Sequence, residues 1–138
     1  MPHLFEEFTL RGVKLRNRVG VSPMCQYWSE DGMASDWHLV HLGARAIGGA
    51  ALVICEATAV EARGRITPGD AGIWSDAHIE PLARINRFIK QYGAVPGIQL
   101  AHAGRKASTA PPFATNGNHD RSLSDAEGGW EIVAPSPL

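Results

Sequence analysis

Ala50-Ala51-Leu52-Val53-Ile54-Cys55 is an unbroken apolar run of strand length, with no alternation of polar and apolar residues. A strand without a polar face has to be covered on both sides, as strands of parallel sheets are by the helices laid over them. The flanks agree with this. Ser35 is a good helix N-cap with Asp36 in the first turn, and Trp37, Val40, Ala44 and Ile47 recur at spacings of three and four. Those four residues form the expected apolar face, and Gly48-Gly49 ends the helix. After the run, Asp76 is the expected cap of a second helix carrying Ile79, Leu82, Ile85, Ile89 and Tyr92, with Gly93 as its stop. Pro81 places the start of its regular part close by.

Two further strands complete the pattern. Val19-Gly20-Val21 is stopped at Pro23, which has no N–H for a sheet. Val95 to Leu100 is thinned by Pro96 and Gly97 and delivers Gln99 near its carboxyl end. The order strand, helix, strand, helix, strand implies right-handed crossovers and a parallel sheet. Ahead of it, Phe8-Thr9-Leu10 and Val13-Lys14-Leu15 flank Arg11-Gly12 as a small hairpin. From Gly104 to Leu138 no helical period appears. Ala110 to Gly129 is rich in Pro, Asn, Asp, Ser and Gly, as a functional or disordered loop is, and only Trp130 to Ala134 has the makings of a short strand.

The 138 residues, 44% apolar and 20% charged, suit one globular domain over 1–138, with 104–138 as a long excursion after the third strand. Net charge is −1 without a basic or acidic block, which argues against nucleic acid or a membrane surface as partner. No apolar run approaches the ~20 residues needed to cross a bilayer. The start lacks the basic and apolar regions of a signal peptide, and two cysteines outside any CxxC pair suit a reducing cytoplasm.

Ser22 and Cys25 follow the first strand, Glu56 the second, and Gln99 ends the third. Parallel strands bring their carboxyl ends to one edge, so these groups are expected to converge on one ligand there. Other chemistries find less support. Gly43, Gly48 and Gly49 do not make a dinucleotide-binding GxGxxG, and no GxxxxGK[ST] is present. The first βα loop is not a phosphate-cradling turn, which weakens a flavodoxin-like reading. His38 and His41 share a helix face but have no further ligand at metal spacing, so a structural role is expected and no metal site. Cys55 reads as core, His102 has no partner at an evident distance, and Ser22 and Cys25 lack the pattern of a nucleophile elbow.

Ser22-Pro23-Met24-Cys25-Gln26-Tyr27, Glu56-Ala57-Thr58-Ala59-Val60, Gly64-Arg65-Ile66-Thr67 and Gln99-Leu100-Ala101-His102-Ala103-Gly104-Arg105-Lys106 together resemble the old yellow enzyme family. These are FMN-dependent ene-reductases on a (β/α)8 barrel, and the branch with Cys and Tyr after the first strand, which includes xenobiotic reductases, is the nearest in pattern. The resemblance implies an α/β fold: a partial TIM barrel with the first three strands and two helices, preceded by the hairpin. It implies FMN as cofactor, NADPH or NADH as reductant, and an enone-like activated alkene as substrate. Ser22, Pro23, Met24 and Cys25 would line the flavin near O4 and N5, with Cys25 tuning its reduction potential. Ala57 would offer its backbone to the ring, and Gln99 its amide to N3 and O2. Tyr27 would turn its hydroxyl to the substrate, so that Cys25 and Tyr27 are the expected catalytic residues.

A complete barrel needs eight βα units in roughly 250 residues. The family's paired His/His or His/Asn, its tyrosine proton donor and its phosphate grip have no counterpart here. The chain therefore resembles the amino-terminal portion of such a barrel. An alternative to an active ene-reductase is a truncated or split fragment that contributes half of a flavin site, acting with a complementary barrel segment or as a homo-oligomer.

Overall fold

A computed structural model describes residues 3–114 and 121–136 of the chain. The hairpin forms as β1 (Phe8–Leu10) and β2 (Val13–Leu15), antiparallel, with Thr9 opposite Lys14. The main sheet is parallel. Its strands are β3 (Gly20–Val21), β4 (Leu52–Ala59), β5 (Ala71–Gly72) and β6 (Val95–Ala101), with β4 central. One edge of β4 pairs with β6 along its length; the other pairs with β3 at Leu52 and Val53 and with β5 at Thr58 and Ala59. The first, second and third expected strands thus lie side by side in that order.

Helices α1 (Asp36–Ile47) and α2 (Ile79–Gln91) supply the crossovers. Leu42 and Ala46 of α1, Ile85 and Ile89 of α2, and Val53 and Cys55 of β4 make one core, closed by Ala50 and Ala94. Burying a side chain such as Ile89 or Val53 contributes on the order of 1.5–3 kcal/mol. Both helices end through a glycine in the left-handed region, Gly49 at φ +101 and Gly93 at φ +74. The amides beyond them, of Ala50 and Ala94, reach back to the carbonyls of Arg45 and Ile89, each at 3.2 Å.

The buried face of α1 differs from the expected one. Trp37, Val40 and Ile47 are 48%, 69% and 59% exposed, and Ala44 is exposed too, whereas His38, Leu42, Gly43 and Ala46 are buried. The reason is the contact with α2. A Cβ on Gly43 would lie 2.7 Å from the Phe88 ring, so the missing side chain is where α2 approaches. Polar His38 is buried because its ring is hydrogen-bonded.

Other boundaries move by a few residues. The second helix is led in by a 3₁₀ turn, Asp76–His78, whose N-cap is Ser75 rather than Asp76; the Ser75 hydroxyl accepts from Ala77 N–H at 3.3 Å. Pro81 falls in the first turn of α2, where its missing N–H is no loss. β4 runs past the expected end at Cys55, with a bulge between Cys55 and Ala57, so Glu56 and Ala57 lie within the strand. β5 lies in the stretch between β4 and the second helix, for which the sequence pattern gave no strand.

Trp130 to Ala134 is not a strand: Trp130 gives its backbone N–H to Ser108 Oγ (2.9 Å) and its indole N–H to the Arg63 carbonyl (2.9 Å). The described part of 104–138 contains 3₁₀ turns at Gly104–Lys106, Pro112–Ala114 and Asp125–Glu127, and an antiparallel bridge between Thr109 and Ser122. Positions 115–120 of the Ala110–Gly129 loop lie outside the described residues. Among the described residues, no helix is long and apolar enough to cross a membrane.

Candidate active site

The Ser22–Tyr27 segment leaves the carboxyl end of β3 and crosses toward β4. Asn17 fixes the start of the path, its amide donating to the Gly49 carbonyl at 2.8 Å and its Oδ1 accepting from Val19 N–H at 2.9 Å. At the far end the Cys25 thiol accepts hydrogen bonds from Ala57 N–H and from the Tyr27 hydroxyl. Ala57 pairs in register with Gln99 on β6. Cys25, Ala57 and Gln99 therefore come to one edge of the sheet. Ser22, Met24 and Gln99 are exposed, whereas Pro23, Cys25, Tyr27 and Ala57 are half-buried.

Tyr27 has φ +59, a strained value for a residue with a side chain. The turn at 66–70 holds it there. Asp70 accepts from Ile66 N–H (2.8 Å), Thr67 N–H (3.1 Å) and the Thr67 hydroxyl (2.7 Å), and Ser29 N–H donates to the Gly69 carbonyl at 2.9 Å. A Cβ on Gly69 would lie 2.6 Å from the Tyr27 carbonyl oxygen, so only glycine allows this approach. The Tyr27 ring meets Phe113 edge-on at 6.3 Å.

Burial pushes the Cys25 thiol above its ordinary range, Asp70 and Glu56 add to the shift, and the two hydrogen bonds partly offset it. Near neutral pH the group is therefore a thiol, not a nucleophilic thiolate. With its sulfur accepting from two donors, its S–H is left to donate. Burial also raises Tyr27, so its hydroxyl stays protonated.

Glu56 does not join the exposed edge. It is 3% exposed and lies between the Cys25 loop and α1, with Oε2 accepting from Gln26 N–H at 3.1 Å and standing 3.8 Å from His38 Nε2. His38 Nδ1 accepts from Ser35 N–H at 3.0 Å, so the neutral ring carries its proton on Nε2, which faces Ser29 Oγ at 3.4 Å. Ser29 and Glu56 share the same ring nitrogen, which is not the geometry of a hydrolytic triad.

Cys55 is a core residue, its thiol pushed up to about 11 by burial. His102 does have a partner: Nε2 donates to Glu61 Oε1 at 2.7 Å, on the surface. Among the described residues no cluster of His, Cys, Asp and Glu has metal-binding form. Glu56, expected at the strand-end edge, instead supports the Cys25 loop from within, and the supporting residues not anticipated are Gly69 and Asp70. Only the Thr67-x-x-Asp70 spacing, a self-capping turn, marks any of them in the sequence.

A parallel sheet arc with helices on one face and a polar strand-end edge is a segment of a barrel enzyme. The chain belongs to the NADH:flavin oxidoreductase / NADH oxidase family, whose model matches residues 3–129. It is 47% identical over 137 residues to an NADH:flavin oxidoreductase of Gibberella zeae, covering 98% of this chain and 32% of that protein. It is 50% identical over 106 residues to an NADPH dehydrogenase of Bacillus subtilis, covering 75% and 31%. Morphinone reductase in complex with tetrahydroNAD superposes with a TM-score of 0.73 at 29% identity, over 78% of this chain and 29% of that one. The old yellow enzyme of Trypanosoma cruzi gives 0.74 at 27%, over 98% and 35%. The fold is accordingly part of a (β/α)8 barrel, and the chain spans about a third of the length of these relatives.

The cofactors of this family are FMN and NAD(P)H. The donor set at the edge fits the flavin ring. A primary amide, a backbone segment and a thiol can face an edge that alternately donates and accepts, and none of the three is charged. They suit the ring rather than the phosphate.

Proposed function

We propose that this chain builds the ring-binding part of an FMN-dependent ene-reductase and forms the amino-terminal portion of a single barrel domain. Bound FMN would carry hydride from NAD(P)H to the C=C of an activated alkene. The in-register pair Ala57–Gln99, with the Cys25 thiol on the Ala57 amide, carries this reading. Ser22, Pro23 and Met24 line the ring, the Ala57 backbone and Gln99 amide meet its pyrimidine edge, and the free S–H of Cys25 donates to it. Tyr27, held by Gly69 and the Cys25 sulfur, presents its hydroxyl toward the substrate side. The cytoplasm suits both free thiols.

A second reading is favoured by the outer edge of β6, unpaired among the described residues, and by the span of the chain relative to its kin. In it, the chain contributes half of the site and acts with a complementary barrel segment or a second copy.

The experiment is an FMN titration followed by NADPH-dependent reduction of cyclohexenone, with and without a complementary barrel segment. Gln99→Ala is expected to weaken ring binding about tenfold, since one hydrogen bond to a buried edge contributes on the order of 1–1.5 kcal/mol. Cys25→Ala is expected to keep the flavin and shift its midpoint potential. Flavin binding indifferent to Gln99, or a midpoint potential indifferent to Cys25, under both conditions would overturn the assignment.

A further inference from the structure

Glu56 is a carboxyl buried to 3% exposure beside the Cys25 loop, and the proposed chemistry does not use it. It sits on the β4 bulge, where two consecutive residues oppose one on β6. The bulge has two consequences. It brings the Glu56 carboxylate under the loop, where Oε2 accepts the N–H of the Cys25–Gln26 peptide at 3.1 Å. It also leaves the next amide, Ala57 N–H, facing the Cys25 sulfur. The other oxygen, Oε1, is buried without a hydrogen-bond partner among the described residues.

We propose that Glu56 is the positioning residue of this site, its carboxyl holding the Cys25–Gln26 peptide while its bulge aims the Ala57 amide at the Cys25 sulfur. The relevance to catalysis rests on the reading of Cys25 and Tyr27 given above; the anchoring itself does not.

The groups facing Glu56 are Cys25 and Tyr27 on the loop, Cys55 on its own strand, His38 on α1 and Asp70 on the 66–70 turn. His38 is the only base among them, and burial holds it below its usual range, so it gives the carboxylate no counter-ion near neutral pH. Burial raises Glu56 to about 7, against which the Gln26 hydrogen bond works. The anchor therefore changes charge in the physiological range, within reach of the thiol that it positions.

The test reads Cys25 directly, by iodoacetamide labelling against pH with peptide mass mapping to separate Cys25 from Cys55. Glu56→Gln keeps an acceptor for Gln26 N–H and removes the charge. Its labelling midpoint should fall below that of the wild type while the high-pH plateau stays the same. Glu56→Ala removes the anchor, and its plateau should rise about tenfold as the loop loosens, by the worth of a hydrogen bond to a charged group. Superimposable profiles for all three proteins, or a plateau in Glu56→Gln as high as in Glu56→Ala, would overturn the proposal.

Should Glu56→Ala not fold, the wild-type Gln26 amide proton provides the reading by NMR. Its shift should titrate with a midpoint near 7, and a flat response between about pH 5 and 9 would equally count against Glu56. Neither readout needs flavin. A protein that binds no FMN with or without a complementary barrel segment but shows these effects sinks the proposed function and leaves the anchor standing.

Discussion

At the scale of single residues, three buried ionisable groups set how stability answers to pH. Glu56 is raised from 4.5 to about 7, so folding favours its acid form. The stability tied to it is complete below about pH 4.5 and is lost as pH rises through 7. Burial raises Asp70 from 3.8, with the same sign at lower pH, while its bonds to Thr67 and Ile66 oppose the shift. His38 is lowered from 6.5, so its contribution is present above 6.5 and is lost as pH falls. The Glu56 and His38 windows overlap with opposite signs, so the wild-type profile alone does not separate them. Glu56→Gln does. Relative to the wild type, this variant should gain about 3 kcal/mol between pH 4.5 and 8, since one pKa unit is worth about 1.4 kcal/mol. Urea unfolding across that range is the measurement, and a constant difference between the two proteins would contradict the burial argument.

Arg16 does for whole elements what Glu56 does for a loop. Its guanidinium donates to the carbonyls of Ala46 (2.8 Å) and Ala50 (2.9 Å) at the end of α1, and of Tyr92 (2.7 Å) at the end of α2. Both helices direct their negative poles to that point, so one cation satisfies terminal carbonyls of each. Gly93 leaves room for it, since a Cβ there would lie 3.1 Å from Arg16 Nη1. Arg16→Ala is expected to cost about 2 kcal/mol, and Arg16→Lys to recover only part, because an ammonium lacks the planar fork that spans three carbonyls. Thermal melts of the two variants test this. Equal melting temperatures for Ala and wild type would reduce Arg16 to a surface residue.

At the scale of the whole molecule, β6 is paired on one side only among the described residues, and Ile98 and Leu100 are 40% and 64% exposed. Beside it, Ile73, Ile79, Leu82 and Ile98 line an apolar groove between α2 and β6. An unpaired edge with apolar neighbours is a template for another strand. The purified 138-residue chain is expected to self-associate, and Leu100→Lys to shift it toward the monomer. Light scattering over a dilution series decides. A wild-type chain that stays monomeric at high concentration would show that the edge is not adhesive.

Much of this architecture follows from local chemistry alone. The unbroken apolar run marked a strand covered on both faces, and its alternation with two helices implied a parallel sheet. Ser35, Gly49 and Gly93 marked helix ends because capping and left-handed φ are properties of one or two residues. Four motifs in order were enough to place the family. What only the tertiary structure decided depends on neighbours distant in sequence. The face that α1 buries was settled by Phe88 meeting Gly43, against the count of apolar residues. The bulge at Glu56 changed a strand-end carboxylate into a buried anchor, because the register of β4 on β6 is a property of the pair. Tyr27 keeps a backbone angle that it would not hold alone, since Gly69, more than forty residues on, leaves room for its carbonyl. Propensity and pattern are local, whereas close approach, burial and the pairing of polar atoms exist only once the chain has folded.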